Sequence, residues 1–155
     1  MGENAERVQE RLAAGLAERI PDAEWVTEYG VGGTPVDIGG TTGVGELYLV
    51  ELEWRRADPA DNAAKIFRHA TKTMERQTYV FQVFTRYYEL ADGGVSSKRK
   101  NAEFVGETAA ETLEGLSYTA VSLDAQPPKR GGELPDGWRS EVEAVAEEIE
   151  RGLRE

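Results

Sequence analysis

Cysteine is absent from this chain. That excludes disulfides, thiolate nucleophiles and zinc–thiolate sites, and it fits a reducing compartment, so a cytoplasmic protein is expected. Histidine is nearly absent, with His69 the one copy. One histidine without cysteine cannot assemble a zinc site of the usual kind. No serine sits in the strand–turn–helix setting of a nucleophile elbow. Long apolar runs are also missing. Nothing approaches the roughly 20 residues that cross a bilayer, and no N-terminal stretch reads as a signal peptide. Lysine is scarce: Lys65, Lys72, Lys98, Lys100 and Lys129 are the five lysines among 18 basic residues.

Acid is abundant. The chain carries 29 Asp and Glu and a formal net charge of −11 over 155 residues. An acidic, lysine-poor surface suits a cytoplasm of molar salt, where solvated carboxylates keep a protein soluble. The composition therefore reads as halophilic. In dilute buffer such a charge opposes nucleic-acid binding. At ~1 M salt the Debye length is about 3 Å, and local basic clusters decide instead. The length suits one domain with a real core, spanning residues 1–155.

Hydrophobic periodicity orders the chain as αβββαβαβα. Val8, Leu12, Leu16 and Ile20 stripe a helix over residues 3–20, with Ala5 and Ala13 filling the stripe. Extended runs follow at 25–29, 34–38 and 46–54, separated by Gly30–Gly33 and by Gly39–Gly45, both expected as hairpin turns. Asp58-Pro59 is an N-cap followed by a first-turn proline, opening a helix with Ala63, Ile66, Phe67, Ala70 and Met74 inward. Residues 78–90, dense in aromatic and β-branched types, read as a strand. A helix at 97–115 carries Ala102, Val105, Ala109 and Leu113, and a strand at 116–123 follows. A Pro/Gly-rich loop at 125–137 leads to a C-terminal helix at 139–154, striped by Val142, Val145, Ile149 and Leu153. The expected fold is an α/β domain, a mixed sheet with helices on both faces.

Three acids interrupt this pattern. Asp37 lies in the second extended run, and Glu51 and Glu53 lie in the third, written ELYLVELEW. Residues i and i+2 of a strand share a face. On that face Leu47 and Leu49 are apolar, then Glu51 and Glu53 are acidic. A hairpin brings Asp37 beside them. Acids are seldom buried unless paired or bound to something. Convergent carboxylates are hard oxygen ligands suited to Mg²⁺. The competing reading is a solvated acidic stripe, which Leu47 and Leu49 make awkward.

Asp37, then Glu51-x-Glu53 on the next strand, then a helix, resembles the PD-(D/E)XK nuclease superfamily, the restriction endonuclease-like proteins. The resemblance covers residues 3–123. It implies a three-layer α/β/α domain with a mixed central sheet and Mg²⁺-dependent (or Mn²⁺-dependent) hydrolysis of DNA phosphodiesters in restriction, repair or structure-selective cleavage. It also implies that Asp37, Glu51 and the backbone carbonyl of Leu52 hold the metal. The departure is Glu53, where the family usually has lysine. Some type II restriction enzymes carry glutamate or glutamine there. Glu53 then becomes a further ligand or orients the attacking water. Lys65, on the following helix, is the candidate substitute, because the active-site lysine of some members has migrated to that helix. A lost lysine equally fits an inactive member, a DNA-binding or scaffold protein built on the fold.

Arg55, Arg56 and Arg68 are candidate phosphate contacts, since arginine pairs with phosphate bidentately; neutralising the acids is their alternative role. Lys98-Arg99-Lys100 is the densest basic run and falls at a helix start, where backbone N–H groups also favour phosphate. Glu6 and Glu10 match a first-helix ligand of some relatives, with surface solvation the plainer reading. Gln77, Gln82 and Arg86 lie on or near the fourth strand as candidate cleft-lining residues with no assigned role, and His69 reads as a helix-face residue near DNA. Relatives often act as homodimers, and at this length specificity falls to DNA structure or to a partner protein.

Overall fold

The computed structural model describes residues 2–72 and 76–154. Its element order is α1 (Glu3–Arg19), β1 (Ala23–Val31), β2 (Thr34–Thr42), β3 (Glu46–Glu53), α2 (Pro59–Ala70), β4 (Gln77–Phe84), a 3₁₀ turn (Arg86–Tyr88), α3 (Ser97–Thr112), β5 (Leu116–Ser122) and α4 (Trp138–Arg154). The expected αβββαβαβα order holds. Met74, expected on the inner face of α2, lies outside the described residues.

The strands form one five-stranded sheet in the order β1-β2-β3-β4-β5. β1, β2 and β3 pair antiparallel, and β3, β4 and β5 pair parallel. The parallel half explains the layers. Two successive crossovers, β3–α2–β4 and β4–α3–β5, step the same way across the sheet. The right-handed rule puts both helices on one face. The opposite face is left for α1 and α4, giving an α/β/α sandwich around a mixed sheet.

Each face carries its own core. Val8, Leu12 and Leu16 of α1 and Val142, Val145 and Ile149 of α4 pack on Tyr48, Val50, Leu52, Val83 and Val121. Ile66, Phe67 and Ala70 of α2 pack on Leu47, Leu49 and Val80, with Ala109 and Leu113 of α3 at the margin. β3 therefore alternates strictly, even positions toward α1 and α4, odd positions toward α2 and α3. Glu51 and Glu53 continue the odd series.

Two boundaries differ from the sequence reading by more than three residues. Gly39–Thr42 is strand, and the turn is confined to residues 43–45. Large rings explain the glycines. A Cβ at Gly39 would lie 2.3 Å from Cγ of Tyr29, and one at Gly40 would lie 2.8 Å from the Trp25 ring. Both glycines are space for a cross-strand aromatic rather than turn formers. The fourth strand ends at Phe84 instead of Leu90. Thr85 caps the 3₁₀ turn by accepting from Tyr87 N, which bends the chain out of the sheet.

Candidate metal centre

The ladder between β2 and β3 runs from Thr41↔Leu47 to Ile38↔Val50. Beyond it, side chains take over the backbone partners. Asp37 N donates to Oε1 of Glu51 at 3.1 Å, and Leu52 N donates to Oδ2 of Asp37 at 2.7 Å. The strands part here with both carboxyl groups in the gap. A residue's N–H and C=O leave the same edge of a strand. The Leu52 carbonyl therefore faces the gap beside Asp37.

The distortion extends into β1. Val36 packs with the α2 core and Ile38 with the α1 core, so the face alternation breaks at Asp37. Opposite it, Glu28 takes φ +53, the left-handed region. Gln9 of α1 holds Glu28, donating from Nε2 to Oε1 at 3.0 Å. Glu28 lies close enough for its charge to raise the Asp37 pKa.

Asp37 and Glu51 are in direct side-chain contact. Burial pushes the Glu51 carboxyl up to about 10, and the neighbouring Asp37 charge adds to that. Burial also raises Asp37, against the lowering effect of its hydrogen bonds to Glu51 and Leu52 N. Two carboxyl groups this close cannot both ionise readily, which favours a proton on one of them.

Glu53 is fully buried. Its Oε1 accepts from Asn62 Nδ2 at 2.9 Å, and its Oε2 accepts from Gln82 Nε2 at 2.7 Å. Gln82 Nε2 also donates to Pro59 O, and Gln82 Oε1 accepts from the Tyr118 hydroxyl at 2.7 Å. Burial raises the Glu53 pKa, while the two amides oppose the rise. Among the described residues, no Lys, Arg or His pairs with Asp37, Glu51 or Glu53.

An open cleft of about 1460 Å³ borders this group, with Asp37 and Glu51 partly exposed and Glu53 buried behind them. Asp37, Glu51, Leu52, Glu53, Arg55 and Arg56 all line it, as do Glu6 and Glu28. Glu10 does not. Arg55 donates from Nη1 to Pro128 O at 2.9 Å and lies over the Tyr87 ring. Arg56, at φ +51, is exposed at the cleft wall.

The other expected residues lie elsewhere. Lys65 pairs with Asp61, its Nζ 3.0 Å from Oδ2, and does not line the cleft. Arg68 is exposed away from it. Lys98 and Lys100 are exposed at the start of α3, outside the cleft lining. Arg99 is buried, donating to Ser122 Oγ at 2.9 Å, pairing with Glu103 and stacking on Phe84. Its guanidinium is committed inside the protein, which corrects its reading as a surface phosphate contact. His69 packs over Gly32 in the β1–β2 turn. Arg86 pairs with Glu89 and Asp124.

Among the described residues no group of three or more His, Cys, Asp or Glu is placed so that it could hold a metal ion. Mg²⁺ does not need such a cage; it is commonly held by one or two carboxylates and keeps several waters. A metal ion at this strand end would rest on the carboxyl groups of Asp37 and Glu51 and the Leu52 carbonyl.

No protein-family model matches the chain, and no curated protein matches its sequence. Solved structures similar to it include two nucleases. One is the structure of an EndoMS–double-stranded DNA complex, 18% identical, with a TM-score of 0.48, covering 82% of this chain and 46% of that one. The other is a repair endonuclease from Pyrococcus abyssi, also 18% identical, with a TM-score of 0.42, covering 83% of this chain and 49% of that one. The chain thus spans about half the length of each.

Proposed function

We propose that this protein is a Mg²⁺-dependent deoxyribonuclease acting on DNA phosphodiesters. The observation that carries the reading is three acids gathered at a strand end, with Asp37 against Glu51 and no cationic partner among the described residues. Charges brought out of water are paired or bind metal. A divalent ion bound here would take the place of the proton that burial favours on Asp37 and Glu51. Asp37, Glu51 and the Leu52 carbonyl are the proposed ligands. A bound ion would lower the pKa of a water and neutralise charge on the phosphate.

To hold the ion, Asp37 and Glu51 would both have to be deprotonated. Glu53, clamped by Asn62 and Gln82, keeps a fixed carboxyl at the inner wall, and to orient the attacking water it would have to give up one of those amides. Lys65 assists only after leaving Asp61. That pair is half exposed and worth about 0.3–0.5 kcal/mol, so it is easily exchanged. Arg55 and Arg56 contact phosphate at the rim. A second copy of the chain would present two such sites to two strands, and a partner protein would supply specificity.

The second reading is an inactive nuclease fold that binds DNA. Glu53 favours it, because this carboxyl is occupied by amides at the position where the resembled family has lysine. Plasmid nicking with Mg²⁺ or Mn²⁺ in high KCl separates the two. Nicking by the wild type and its loss in Glu51→Ala is the expected result. Equal nicking by both proteins contradicts the site, and DNA binding without nicking selects the inactive reading.

A further inference from the structure

The loop between β5 and α4 carries charge that the nuclease reading leaves unused. Gln126-Pro127-Pro128 stiffens it, because each proline fixes its own φ and restricts the residue before it. Lys129 to Gly132 then form a tight turn, Gly132 N donating to Lys129 O at 2.8 Å. Gly131 takes φ +83 at the third position, as a type II turn requires. Arg130 therefore stands at the tip, with Lys129 beside it.

The turn is docked at both ends. Arg55 donates to Pro128 O, and Asn4 of α1 donates to Gly132 O at 3.0 Å. The first bond joins Arg55-Arg56 to Lys129-Arg130 along one wall of the cleft. All four line the same 1460 Å³ space as Asp37 and Glu51. Among the described residues none of the four forms an ion pair, and Arg55 Nε is buried without an acceptor. Glu3, Glu6, Glu28 and Glu133 line the same space, yet none of them pairs with these four cations, which leaves the cations available to an anion. Lys129 is also the one lysine lining the cleft among the described residues.

We propose that the Lys129–Gly132 turn is a phosphate clamp. Lys129 and Arg130 grip the nucleic-acid backbone while Arg55, through Pro128, sets the turn's distance from the acids. The ligand identity rests on the nuclease reading above; the clamp itself is an anion-binding wall. Binding is read by fluorescence anisotropy on a duplex DNA in Ca²⁺, over KCl from about 0.2 to 1 M, beside a plasmid-nicking assay. Each phosphate contact removed should flatten the log Kd–log salt plot by about 0.9.

Lys129→Ala/Arg130→Ala is expected to weaken binding tenfold or more and to reduce the slope by about 2. Lys129→Arg should retain near-wild-type binding. Glu51→Gln should bind while failing to nick. Unchanged affinity and slope in the double variant would overturn the clamp while leaving the nuclease reading standing. Binding that depends on the turn, without nicking by the wild type, would keep the clamp and remove the nuclease. Absence of DNA binding by the folded wild type would remove the clamp. An unchanged circular-dichroism melt keeps a folding defect apart from all of these.

Discussion

At the residue scale, Glu51 and Glu53 illustrate how burial turns composition into chemistry. Glu51 has a folded-state pKa near 10, above its ordinary 4.5. Such a group keeps a proton that the unfolded chain releases. Its stabilising contribution is present below the unfolded value and is lost as pH rises toward the folded one. Without divalent ions, urea midpoints should therefore fall between about pH 6 and pH 9. Glu51→Gln should flatten that slope and raise stability at the alkaline end. An unchanged slope in the variant would show that this carboxyl ionises freely. Glu53→Lys, which restores the residue usual in the resembled family, should destabilise by about 3 kcal/mol or more. It would set a cation against amide donors from Asn62 and Gln82. Thermal melting checks this, and a stable Glu53→Lys protein would mean the amides can turn over.

The triplet itself was legible in the sequence. Leu47 and Leu49 preceding Glu51 and Glu53 on one strand face marked where the acids gather at the strand end. Glu28 was not legible, because nothing local marks a glutamate that takes a left-handed φ opposite a distorted Asp37. Gln82 was visible only as a polar residue in an apolar strand. Its partners come from Glu53, Pro59 and Tyr118, far apart in sequence.

At the element scale, helices were read well because each carries a stripe, and α2 adds the Asp58 cap, which accepts from Asp61 N. Glycine misled the reading of β2, since a strand that gives room to a ring looks like a turn. Gly39→Ala should cost about 1–3 kcal/mol, the usual range for overpacking, because its Cβ would collide with Tyr29. Chemical denaturation checks this, and a neutral result would show Tyr29 swinging away freely. Tyr118→Phe on β5 removes the donor to the buried Gln82 Oε1. A buried acceptor left unsatisfied costs about 1–3 kcal/mol. A melt unchanged from wild type would place water at that oxygen.

At the scale of the whole molecule, the layers follow from two same-handed crossovers, which the αβββαβαβα order already implied. The cleft did not follow, because its cationic wall is assembled from residues 55–56 and 129–130, joined by one hydrogen bond to a loop carbonyl. No described helix is long and apolar enough to cross a membrane. A net charge of −11 makes self-repulsion a global term, which salt screens. Stability should therefore rise with KCl, and a melting temperature independent of salt would contradict the halophilic reading of the composition.

The most direct measurement is calorimetric titration of Mg²⁺ into the protein near pH 7.5, in two buffers of different ionisation enthalpy. An ion that replaces the proton favoured on Asp37 and Glu51 must expel it. The expected result is saturable binding with about one proton released per ion, lost in both Asp37→Asn and Glu51→Gln. Saturable binding that persists in those variants, or no binding by the wild type, would contradict the metal centre.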